Sequence, residues 1–166
     1  GVPTPALITR AVHELNAFSN IEILNLGLET LPQISHFKIH DFNMKPSGRI
    51  DDGARIQALE IFQKAIEFGQ SYKTNDDYVI LAESIPAGTT TANATALALG
   101  YECEGYFSSS YKNNPSDIKN ETIVNALKRV ESKNDLFEKL GFLSDNMNIF
   151  NAGFILGSRA NNLKVI

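Results

Sequence analysis

The stretch "ESIPAGTTTANATALALG", residues 83 to 100, sets Glu83, Gly88 and the hydroxyls of Thr89, Thr90 and Thr91 between an apolar run and a helix of small residues. A carboxylate at the end of an apolar strand is costly unless it is paired or solvated in a cleft. The backbone N–H groups of Gly88 to Thr90, at the start of a helix, carry partial positive charge and lack partners, which equips the turn to hold an anion, phosphate above all. The same residues also serve as a threonine cap and a turn glycine with no ligand at all. The stretch is not a P-loop, because no lysine follows Gly88, and it is not a G-x-G-x-x-G dinucleotide fingerprint.

A second anion site is suggested by "SSSYKNNPSDIK". Ser108, Ser109 and Ser110 follow a short apolar run, and Lys119 falls near the start of the next helix. A lysine there opposes the helix dipole, so a negative group nearby would account for it; a solvated surface lysine is the alternative. His36 and His40 share a strand face with Lys38, but two histidines without a third ligand fall short of a metal site. His13 reads as a surface or cap residue, and Arg49 in "SGR" pairs locally with Asp51 and Asp52.

The elements that must position these groups alternate. Leu7, Ile8, Val12 and Leu15 recur at helical spacing behind Pro5, predicting a helix over 5–16. "IEILNLG" reads as a buried strand over 21–27 and "HFKIHDF" as an edge strand. A long helix starts near Asp51 and Asp52, with Ile56, Leu59, Phe62, Ala65, Ile66 and Gly69 on one side. "DYVILAES", residues 77–84, is the strongest strand signal in the chain. A helix over 90–99 and a short strand over 104–107 follow. Asn114 caps the next helix with Pro115 at its first position and Ile118, Ile123, Val124, Leu127 and Val130 as its apolar face. A short helix "DLFEKLGFLSD", an apolar helix "MNIFNAGFILGSRANN" and a strand "LKVI" complete the order. This grammar predicts a single α/β domain, three-layered and Rossmann-like, with a mostly parallel sheet flanked by helices.

The chain has 166 residues and 43% hydrophobic content, enough for one core. Its net charge of −4 and scattered basic residues give no footprint for nucleic acid. One cysteine, Cys103, excludes an intrachain disulfide and reads as a small buried hydrophobe. No run of about 18 apolar residues marks a membrane span, and the expected setting is cytoplasmic. Ending on an apolar strand, the sequence reads as a fragment that lacks a C-terminal part.

In order along the chain, "PTPALITRA", "SGRIDDG", "ESIPAGTTTANATALALGY", "GYFSSSYKNNPSDIK" and "LFEKLGFLSDNMNIFNAGFILGSR" resemble the nicotinate-nucleotide:dimethylbenzimidazole phosphoribosyltransferase family, most of all its archaeal and cyanobacterial branch. The resemblance implies a glycosyltransferase that moves the phosphoribosyl group of nicotinate mononucleotide to a lower-ligand base, a benzimidazole or a purine, in assembling the nucleotide loop of cobamides. It implies a dimer, no cofactor and no metal. It also implies that Gly88, Thr89, Thr90, Ser108, Ser109 and Lys119 cradle the 5′-phosphate while Glu83 faces the ribose or phosphate pocket. The family's general base is a glutamate near the C-terminus that no residue here matches, so no catalytic residue is assigned. The first of two glycines common at the branch's phosphate turn is replaced by Ala87. A non-catalytic nucleotide-binding module is the alternative function.

Overall fold

A computed structural model describes residues 5–33, 37–103, 105–109, 113 and 115–166. Among them, six α-helices accompany two short strands: α1 (Pro5–Leu15), β1 (Glu22–Asn25), β2 (Lys38–Asp41), α2 (Ala58–Ser71), α3 (Gly88–Ala98), α4 (Ser116–Val130), α5 (Leu136–Leu143) and α6 (Asn146–Ser158). Turns of 3-10 helix lie at Ile50–Asp52 and Arg159–Asn161. The protein is therefore mixed α/β, as its alternating pattern predicts.

β1 and β2 pair in parallel, Glu22 opposite Lys38 through Asn25 opposite Asp41. A separate parallel bridge joins Val79 to Val165, with Val79 N–H donating to Lys164 O at 2.9 Å and Leu81 N–H to Ile166 O at 2.8 Å. The run 77–84 is thus only briefly a strand. Val79 and Leu81 are half-buried, whereas Tyr78 and Ile80 on its other face are exposed. Burial on both faces is what sustains a continuous apolar strand, and here one face has no cover. Residues 105–107 are likewise not a strand, and Glu104 lies outside the described residues.

Two hydrophobic clusters hold the helices. Ala58, Ile61 and Ala65 of α2 meet Leu140 of α5 and Ile149, Phe150 and Phe154 of α6, with Leu24, Phe42, Leu81 and Val165 from the strand segments packed against them. Phe150 is fully buried, a burial that contributes on the order of 2–3 kcal/mol. Ile50, Ala54, Ala94, Ile123, Ala126, Val130 and Leu143 form the second cluster, joining the 3-10 turn to α3, α4 and α5.

The seam between α2 and α6 is set by glycine. A Cβ on Gly69 would sit 2.6 Å from Phe154 O, one on Gly153 2.6 Å from Phe62 O, and one on Gly157 2.8 Å from Ile66 Cα. The two backbones touch directly there. Acidic caps start the C-terminal helices: Asp135 accepts from Glu138 N–H at 2.8 Å and Asp145 from Asn148 N–H at 2.7 Å.

Several local expectations shift. Asp51 and Asp52 lie within the 3-10 turn, and α2 begins only at Ala58. α3 starts at Gly88, two residues ahead of the predicted boundary at Thr90. Pro115 occupies the cap position of α4, and Asn114 lies outside the described residues, as does His36. Ile118 and Val124, read as core, are exposed. On α1, Leu7, Ile8, Val12 and Leu15 all face outward. Cys103 is buried, its thiol donating to Asn93 Oδ1 at 3.6 Å, and His13 Nδ1 accepts from Phe18 N–H at 3.1 Å just beyond α1.

Candidate functional site

α3 opens on a left-handed residue. Ala87 has φ 58° and ψ 20°, which turns the chain from the segment carrying Glu83 into the helix without the glycine that this conformation favours. Gly88 then allows close packing, since a Cβ there would lie 2.7 Å from Ile85 Cγ2.

Three of the residues singled out above converge at this helix start. The Lys119 ammonium donates to Ser108 O at 2.8 Å and to Thr89 Oγ1 at 3.3 Å. Lys119 stands in the first turn of α4, with its own N–H bonded to Pro115 O at 3.1 Å, and its side chain reaches back across the helix start. Both acceptors are neutral, and among the described residues no carboxylate pairs with this ammonium within 4.0 Å. A cation held beside two helix N-termini is opposed by both dipoles, and an anion would relieve that opposition.

The hydroxyls divide. Thr89 is exposed, while Thr90 and Thr91 are buried. Thr90 N–H already donates to Ala87 O at 3.0 Å, so among the described residues the donors left at the helix start are those of Gly88 and Thr89, which precede any intrahelical acceptor. Ser109, half-buried, follows Ser108, while Ser110 is outside the described residues. Glu83 is exposed on the loop that follows the Val79–Leu81 segment, and no hydrogen bond or ion pair joins it to Lys119 among the described residues.

Sequence reading missed the junction between α5 and α6. Asp145 is only 3% exposed. Burial pushes its carboxyl up, hydrogen bonds from the Asn148 and Met147 backbone oppose this, and the charge of Glu83 raises it further. Asp145 Oδ2 also accepts from Asn148 Nδ2 at 2.9 Å. Next to it, Asn146 Nδ2 donates to Leu26 O and Lys45 O, both at 2.8 Å, and Asn146 N–H to Ser47 Oγ at 3.0 Å. Ser47 of the "SGR" turn is therefore a helix-start acceptor, and Arg49 pairs with Asp51 as expected. The available signal was "SDNMN", an acidic residue before an apolar helix, which marks a cap but not its depth.

A second polar cluster surrounds Glu22. Its carboxylate accepts from His40 Nε2 and from Asn20 Nδ2, the latter at 2.8 Å, and Lys38 Nζ lies 3.7 Å away. Burial alone would raise this carboxyl, but the His40 bond, Lys38 and Asn20 together hold it below the ordinary value. The cluster lies at the start of β1, while Glu83 follows the other end of its own strand segment. Among the described residues no group of three His, Cys, Asp or Glu side chains is arranged to hold a metal, and no helix is long and apolar enough to cross a membrane.

No protein-family model matches the chain. It is 36% identical over 169 aligned positions to the UPF0284 protein of Methanocaldococcus jannaschii, covering 100% of this chain and 47% of that protein. The UPF0284 protein of Sulfurisphaera tokodaii is 35% identical over 159 residues, 95% of this chain and 44% of the relative. That of Sulfolobus acidocaldarius is 35% identical over 161 residues, 96% of this chain and 46% of the relative. The chain spans about half the length of the curated relatives it matches, and their shared name states no activity.

Proposed function

We propose that the chain is the phosphate-binding portion of a glycosyltransferase resembling nicotinate-nucleotide:dimethylbenzimidazole phosphoribosyltransferase. It would move the phosphoribosyl group of nicotinate mononucleotide to a benzimidazole or purine base in cobamide nucleotide-loop assembly. The observation that carries this reading is Lys119, which leaves the start of α4 to meet Thr89 at the start of α3 and the Ser108 carbonyl, with no carboxylate among the described residues to neutralise it. The ordered family-like motifs supply the reaction.

In this reading the Gly88 and Thr89 N–H groups, Thr89 Oγ1, the Ser108–Ser109 segment and Lys119 fix the 5′-phosphate, and Glu83 faces the ribose. Thr90 supports the turn from within. Holding the phosphate positions C1′, the bond from C1′ to the nicotinate nitrogen breaks with its electron pair leaving on nicotinate, and the azole nitrogen bonds to C1′. The azole proton passes to a carboxylate general base, which no residue of this chain matches. The β1–β2 pair and the Val79–Val165 bridge would belong to a three-layer, mostly parallel Rossmann-like sheet, in a cytoplasmic homo-oligomer.

Calorimetric titration with nicotinate mononucleotide tests the reading. Lys119→Ala should weaken binding about tenfold or more, the effect of losing a charge-assisted contact; unchanged affinity would sink the proposal. The alternative reading is a module that binds the nucleotide without turning it over. Nicotinate release by this chain would exclude that one.

A further inference from the structure

We infer that the cleft alongside α3 holds the planar ring of the ligand whose phosphate sits at Gly88, Thr89 and Lys119, an inference that rests on the phosphate-binding reading above. The cleft, about 280 Å³, is lined by Ala92, Thr95, Ala96, Leu99, Tyr101 and Asn148. Thr89, Ala92, Ala96 and Leu99 follow one another at three- and four-residue steps, so they form one row along the helix. At 1.5 Å per residue, Ala92 stands about 4.5 Å and Ala96 about 10 Å along the axis from Thr89. One sugar separates a terminal phosphate from its ring, and the row offers the ring a place at that remove.

The lining suits a flat group. Alanine at 92 and 96 lets a ring approach the helix closely. Leu99 and Tyr101, 42% and 65% exposed, leave apolar surface facing water, and Tyr101 offers a stacking face. Asn148 gives one amide N–H to Asp145 Oδ2 at 2.9 Å, which fixes its amide plane before any ligand arrives and turns it into an oriented polar edge. Thr95 is already committed, its hydroxyl donating to Leu143 O at 3.3 Å. A volume of 280 Å³ lies just below the usual range of ligand pockets, so this open cleft has room for one ring system and not a dinucleotide. A larger depression of about 380 Å³ is lined by Ala98, Val124, Leu127, Lys128, Val130, Glu131 and Lys139. It lies at the far end of α3 and α4, away from the phosphate turn.

The test compares ribose 5-phosphate with nicotinate mononucleotide, which differ by the ring, in calorimetric titrations of the chain. Ala96→Leu fills the cleft, Tyr101→Ala removes the stacking face, and thermal melts confirm that both variants fold. Both should leave ribose 5-phosphate affinity within about twofold and weaken the mononucleotide about tenfold, the scale of one lost ring contact. If Lys119→Ala weakens both ligands while Ala96→Leu and Tyr101→Ala change neither, the ring lies elsewhere and the cleft proposal is overturned with the phosphate site intact. If Lys119→Ala also changes nothing, the phosphate reading fails and the cleft proposal fails with it.

Discussion

Lys119 Nζ and Thr89 Oγ1, on two different helices and 30 residues apart in sequence, meet at 3.3 Å. The contact fastens the start of α4 to the start of α3 and places the ammonium beside helix ends whose first N–H groups have no intrahelical acceptor. Thr89→Val keeps the shape of the side chain and removes the acceptor. We expect the fold to survive and phosphate affinity to drop about fivefold, near the net value of one hydrogen bond. Inorganic phosphate titrated into both proteins reads this directly.

Ala87 holds a left-handed backbone at φ 58°. Relieving that strain outweighs the added freedom of the unfolded chain, so Ala87→Gly should stabilise the protein by about 0.5–1 kcal/mol. Urea unfolding would show a higher midpoint at unchanged slope. A lower midpoint would mean that the left-handed turn is not kept in solution.

Gly157 is the tightest point of the helix seam, where a Cβ would press on the Ile66 backbone. Gly157→Ala gains helix propensity but forces α2 and α6 apart. We expect a net loss of about 2–3 kcal/mol, measured as a fall in the unfolding midpoint.

The Glu22 carboxyl lies below its ordinary value of 4.5 in the folded protein. Its contribution is therefore present above that value and is lost as pH falls through the lower, folded one. Glu22→Gln should destabilise the protein at neutral pH and flatten the decline in stability below pH 4.5. Denaturation curves across that range would refute the linkage if the two proteins lost stability in parallel.

Much of the helical frame was legible because its signals are local. Ala65 and Gly69 in α2 and Ile123 and Val130 in α4 combine helical spacing with burial, although Leu59, placed on the same side of α2, is exposed and Ile61 is buried in its stead. The convergence of Thr89 with Lys119 was legible in part, since a lysine set against a helix dipole needs a reason. The run 77–84 misled because apolar content shows that a segment can be buried, not that a neighbour covers both of its faces. Ile118 and Val124 misled in the same way. Asp145 was invisible as a buried carboxyl because its depth comes with a junction closed by distant segments, the adjacent Asn146 bonding to Ser47, Lys45 and Leu26 across up to 120 residues.

The glycine seam between α2 and α6 also limits how this sequence can drift. Where side chains fill an interface, a methyl lost from one helix can be matched by one gained on the other, and the pair changes by small reciprocal steps. At Gly69 and Gly157 the opposing surface is peptide backbone, and at Gly153 it is backbone beside the single methyl of Ala65, so substitution has almost nothing there to trim. Variation that preserves this packing must therefore run around those three positions, through the outward faces of both helices, while the seam itself stays fixed.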